Sequence, residues 1–177
     1  MEIRYERLNG RNFDEHSLDN FIRRQTVHET WRHTDDGLKL LPKEYVESWS
    51  PEECREIASD IKLHMEDDQS AFGAFAGDEL VGFVTVSHNI FGKSAKYTEL
   101  VCFQVSEPYR HNGIGRRLFS LAKEEGKKIG AEKLYISAFS AKETQAAYKA
   151  LGCTFAEEIN AELAAEEPCD IQLEYVL

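Results

Sequence analysis

With 177 residues the chain has the length of one domain and can bury about 70% of the surface its unfolded form exposes. Its hydrophobic content of 42% and charged content of 30% are those of an ordinary globular protein, and no run of about 18 apolar residues offers a membrane span. The net charge of -11 argues against nucleic-acid binding, which needs a basic face to displace counterions.

The first residues, Met1 to Glu6, lack the basic stretch and apolar core of a secretory signal. Cys54, Cys102, Cys153 and Cys169 are widely spaced, with no Cys-x-x-Cys, so reduced thiols in a cytoplasmic protein are expected. His28 and His33 are five apart and fit no zinc spacing, so no metal is expected. The acidic run Glu157, Glu158, Glu162, Glu166, Glu167 and Asp170 reads first as solvated surface, and second as a field that draws amines.

In chain order, Glu2 to Leu8 reads as a strand. Asp14 to Arg24 reads as a helix with Leu18, Phe21 and Ile22 on one face. Residues 25–49 fit no element but concentrate His28, Glu29, Trp31, Arg32, His33, Tyr45 and Trp49. Ser50-Pro51-Glu52-Glu53 is a helix start: Ser50 as N-cap, Pro51 at the first helical position, Glu53 closing a capping box. Ala71 to Phe75 and Leu80 to Ser87 read as a hairpin around Gly77-Asp78, and Tyr97 to Val105 as a third strand. Then come a helix from Ile114, a strand at Lys133 to Ala138, and a helix at Ala141 to Leu151 with Ser140 and Glu143 as its capping box. Strands at Cys153 to Phe155 and Asp170 to Leu177 close the chain. The order predicts a single α/β domain over residues 1–177: a central, mostly antiparallel sheet with helices on both faces.

The most informative segment is the loop between the third strand and its helix. Gly113 and Gly115 open a helix whose apolar positions Ile114, Leu118, Leu121, Ala122 and Ile129 share a face. Free amides at such a helix start, without side chains in the way, suit a phosphate. A Rossmann fingerprint would need a glycine where Leu118 stands, and a P-loop would need Gly-Lys-Ser/Thr where Gly115-Arg116-Arg117 stands. Either would predict ATP or NAD binding.

The pattern Arg110-x-x-Gly113-x-Gly115, preceded by Val105-x-x-Pro108-Tyr109, resembles the acetyl-CoA segment of the GNAT acetyltransferase superfamily. The resemblance is specific from about Phe83 to Phe155 and loose before Ala71. It implies that acetyl-CoA is the cosubstrate, that Arg110, His111, Asn112, Gly113, Ile114, Gly115 and Arg116 hold the pyrophosphate, and that Phe103 and Val105 pair with the pantetheine arm. In the helix from Ala141, Tyr148 and Gly152 match the family spacing, making Tyr148 the group that serves the departing thiolate. The family's asparagine is replaced by Ala141, leaving Ser140 or Lys142 to supply a pantetheine hydrogen bond. Amides near Phe103 to Val105, freed where the strand bulges or splays, are the implied oxyanion donors.

Acyl transfer to an amine requires a base. Glu99, a carboxylate in an apolar strand, is the first candidate, with Glu107, His28 and His33 behind it. The expected activity is direct transfer to a primary amine of a small molecule by a monomer or homodimer. Acetylation of protein N-termini or lysines, and acyl-CoA binding without turnover, are the alternatives.

Overall fold

A computed structural model describes residues 2–177. Two hydrophobic clusters form on opposite sides of a seven-stranded sheet. The strands are β1 (Ile3–Arg7), β4 (Gln69–Ala76), β5 (Glu79–Phe91), β6 (Tyr97–Val105), β7 (Lys133–Ala138), β8 (Thr154–Phe155) and β9 (Ile171–Val176). They lie in the order β1-β4-β5-β6-β7-β9-β8, and every pairing is antiparallel except β6–β7. That parallel pair is joined by α2 (Ile114–Ile129), as a parallel connection requires a crossover.

On one face α2 buries Ile114, Leu118, Phe119 and Ala122 against Val84, Leu100, Leu134 and Ile136. Its middle is pinned by Glu125, which accepts hydrogen bonds from Ser70 Oγ at 2.6 Å and Arg7 Nη1 at 3.0 Å. Burial opposes ionisation of Glu125, but these donors outweigh it and hold the carboxyl below its usual range. On the other face α1 (Pro51–His64) buries Cys54, Ala58 and Ile61. Its start is the predicted capping box, with Ser50 and Glu53 bonded reciprocally.

Three expectations are corrected. Residues 15–20 form successive turns instead of a helix, with Ser17, Asp19 and Phe21 amides bonded three residues back. Asp14 and Ser17 side chains compete for the local amides, at His16 and Asp14, and that favours turns. Leu18 and Phe21 are buried all the same, while Ile22 is exposed.

Residues 25–49 are not irregular: β2 (Arg24–Thr34) and β3 (Gly37–Ser48) form a separate two-stranded hairpin. Its register breaks between Val27 and Glu29, opposite the stretch that contains Pro42. Ser140 is not an N-cap. Ala141 holds that position before α3 (Lys142–Leu151), with no side-chain cap. The cause is the hairpin: Trp31 donates to the Ser140 carbonyl at 2.9 Å, Thr30 bridges Ala141, and Arg32 donates to Ser140 Oγ. A short helix not foreseen in the sequence, α4 (Ala161–Glu166), begins at Asn160, whose side chain caps it.

Candidate active site

The site begins where β6 and β7 part. Their pairing stops at Glu99 opposite Tyr135, although β7 runs on to Ala138 and β6 to Val105. Beyond Glu99 the edge of β6 that faces away from β5 has no strand partner. The space between the diverging strands is a cavity of about 610 Å³, walled by Leu100 to Gln104, Ser137, Phe139, the Thr144, Ala147, Tyr148 and Leu151 face of α3, and the root of the hairpin.

A bulge marks the same place. The β5–β6 register shifts between Thr85 and Val86, so that Val101 is the extra residue, and the Cys102 amide turns to Thr85 Oγ1 at 3.1 Å. The bulge lies at Leu100 to Cys102, ahead of Phe103 to Val105, where β6 has instead parted from β7. Phe103 to Val105 stay in register with β5.

At the cavity's entrance the loop after β6 folds as a single 3-10 turn, Glu107–Tyr109, followed by residues 110–113. His111 has φ 63° and Gly113, the residue before α2, has φ 79°. The first intrahelical bond runs from Arg117 to the Gly113 carbonyl, and the amides of His111 to Arg116 meet no acceptor among the described residues. A row of free amides at the positive end of a 16-residue helix is an anion site. A Cβ at Gly115 would sit in ordinary contact with the Phe103 ring, at 3.4 Å.

The structure distributes the candidate binding residues unevenly. Arg110, His111 and Phe103 line the cavity. Arg110 also braces the loop, donating from Nε to the Val105 carbonyl at 3.0 Å and from Nη1 to the Arg24 carbonyl at 2.7 Å. Asn112 spends its amide on the carbonyls of Tyr109 and Arg110. Ile114 is core, Arg116 is exposed on the first turn of α2, and Val105 and Ser140 lie off the cavity wall.

Tyr148 packs its ring edge-on to Phe103, centroids 6.1 Å apart, and its hydroxyl has no protein partner among the described residues. Burial, with lesser contributions from Cys102 and Cys153, raises its pKa well above the usual phenol value. The phenol therefore stays protonated through the neutral range.

Glu99 stands at the vertex of the wedge, one residue outside the cavity wall. Burial first, and Glu166 second, push its carboxyl up to about 7. Of the other candidate bases, Glu107 lines the cavity, His28 is exposed and paired with Glu44 at 2.8 Å, and His33 is exposed on the hairpin.

The sequence reading missed Arg23, Arg24, Cys102, Gln104, Thr144 and Asp170, all on the wall. Asp170 is pushed up to about 6 by burial and by Glu167. A second hollow, of about 400 Å³, shares Val101 and Cys102 with the first and presents Glu56 and Asp60 from α1. Among the described residues no group of three or more His, Cys, Asp or Glu side chains is placed to hold a metal. No helix is long and apolar enough to cross a membrane.

Comparison with known proteins accords with this geometry. The chain aligns with nourseothricin acetyltransferase at 21% identity and a TM-score of 0.68, over 98% of this chain and 96% of that one. A Bacillus anthracis protein described as a streptothricin acetyltransferase, in complex with acetyl coenzyme A, aligns at 15% identity and 0.67, over 100% and 98%. The PaiA N-acetyltransferase of Thermoplasma acidophilum, in complex with coenzyme A, aligns at 20% and 0.62, over 100% of both chains. At these identities the likeness is one of fold. No curated protein matches the sequence. Residues 34–153 match the acetyltransferase (GNAT) family model, which spans most of the cavity wall and the whole anion loop. The chain belongs to the acetyltransferase (GNAT) family.

Proposed function

We propose that the protein transfers the acetyl group of acetyl-CoA to a primary amine of a small molecule, directly, in a ternary complex. The observation that carries this reading is the run of unpartnered amides from His111 to Arg116, opening onto a cavity that ends at the free hydroxyl of Tyr148. The amides and the helix dipole take the pyrophosphate. The unpaired edge of β6 takes the pantetheine amides, and Leu100 to Cys102 bring the thioester to the bulge.

The acceptor nitrogen attacks the thioester carbonyl and the C–S bond breaks. Tyr148 gives the sulfur its hydrogen bond and proton, and Glu99 receives the proton that the amine loses. A carboxyl with a pKa of about 7 suits that second task, because it is both substantially ionised and appreciably basic near neutral pH. A small acceptor is favoured because Arg23 to Thr26, at the root of the hairpin, wall the cavity and narrow the approach of a protein tail. Glu56 and Asp60, across the bulge, favour a cationic group.

Thiol release from acetyl-CoA in the presence of an amine panel tests the assignment. Tyr148→Phe is expected to lower kcat by about 100-fold, the usual worth of a general acid, and to leave acetyl-CoA affinity nearly unchanged. An unchanged kcat would remove Tyr148 from the chemistry.

A further inference from the structure

Arg23 is the least satisfied group in the cavity. Its side chain is only 9% exposed, and its guanidinium makes no hydrogen bond within the described residues. Nη1 is both buried and unpartnered. The Trp49 and Phe139 rings lie 5.9 and 5.6 Å from the guanidinium carbon, so its faces are covered by aromatic rings. Nη1 is enclosed, and the other N–H donors of Arg23 also carry no hydrogen bond within the described residues although the residue lines the cavity.

Glu47, the nearest carboxylate, is 3.8 Å away, beyond hydrogen-bond reach, and is itself 39% exposed. A buried cation without a bonded anion is costly. Its position on the cavity wall implies that a ligand supplies what the protein does not.

We propose that Arg23 is the binding site for a carboxylate on the acceptor, so that the acceptor carries a carboxylate as well as its primary amine, as an amino acid does. This rests on the acetyltransferase reading above. A carboxylate matches the planar fork with two parallel bonds and supplies the hydrogen bonds that the long Glu47 ion pair does not. Arg110 and His111 of the anion loop line the same cavity as Arg23, so the test follows acetyl-CoA affinity as well as the acceptor. Arg23 follows directly on the turns of residues 15–20, and its carbonyl accepts the Trp49 amide at 3.0 Å. The backbone from which the guanidinium extends is thus held before any ligand arrives.

The test pairs a panel of amino acids with the corresponding amino-acid amides in the thiol-release assay, using wild type, Arg23→Gln and Arg23→Lys. Acetyl-CoA affinity and Tm are followed in parallel. The wild type is expected to favour the acids. Arg23→Gln should lower kcat/KM for the acids by about 10- to 100-fold, mainly through KM, and change the amides by less than about twofold. Arg23→Lys should recover part of the loss, and it carries the test if the glutamine variant does not fold. The proposal is overturned if the amides react as well as the acids, if the variants keep the preference, or if no acid reacts with a protein that binds acetyl-CoA. A loss of acetyl-CoA affinity in the variants would assign the guanidinium to the donor, which also overturns it. Absence of acetyl-CoA binding in the wild type would instead defeat the acetyltransferase reading, and this one with it.

Discussion

Glu99 is paired on β6 with Tyr135 at the last contact before the strands separate, and Glu166 adds a like charge. Its carboxyl therefore titrates near 7 instead of 4.5, and the sign of the consequence for stability follows. Between those two values the folded state binds more protons than the unfolded chain, so stability falls as pH rises through the interval. Glu99→Gln should have the same Tm as wild type at pH 4 and a higher one at pH 8, in a thermal melt series. In kinetics the same substitution should abolish the rise of kcat/KM with pH that is centred near 7, the acid-side limb a general base produces. Should the limb survive, Asp170, pushed up to about 6 on the cavity wall, becomes the candidate base. Residues of this kind were partly legible. Tyr148 and Glu99 announce themselves by spacing or by a charge in an apolar strand. Arg23 does not, because Trp49 and Phe139 lie 26 and 116 positions away and only the fold brings the three together.

Among the elements, the start of α2 is the one on which the proposed binding depends, and the element was legible because its signal is local. Gly113 supplies the left-handed residue before the helix, and Gly115 the close approach to β6. Gly115→Val would drive a branched side chain into the Phe103 ring, against which Tyr148 packs. Acetyl-CoA affinity is expected to fall at least tenfold, or about 1.4 kcal/mol, by calorimetry, with the far-UV circular dichroism unchanged. Unaltered affinity would place the phosphate elsewhere. The Ser50 capping box was legible for the same reason, being complete within four residues. The similar-looking box at Ser140 misleads because a strand remote in sequence claims Ser140 first. The hairpin of β2 and β3 was missed although Asp36-Gly37 at its tip is a turn signal. Its strands carry too few apolar residues at alternate positions to show the period, and Pro42 and the irregularity at His28 interrupt it.

At the scale of the whole molecule, one topological step creates the site. Five of the six pairings in the main sheet are antiparallel, but the crossover through α2 makes β6 and β7 run parallel, and they diverge after three paired residues. The wedge that results puts the loop before α2, the edge of β6 and Tyr148 of α3 around one cavity. The second half of the chain, where strand and helix alternate at short range, was readable in advance. In the first half β1, α1 and the β4–β5 hairpin were readable too, but residues 14–49, which contribute Arg23, Arg24 and the hairpin root to the wall, were not, because their contacts with the site are long-range. The central claim is that this cavity is an acetyl-CoA site. Calorimetric titration of the purified protein with acetyl-CoA, with NAD and ATP in parallel, tests it most directly. The account predicts saturable micromolar binding of acetyl-CoA and none of comparable strength for the two nucleotides; no acetyl-CoA binding, or a preference for NAD or ATP, would contradict it.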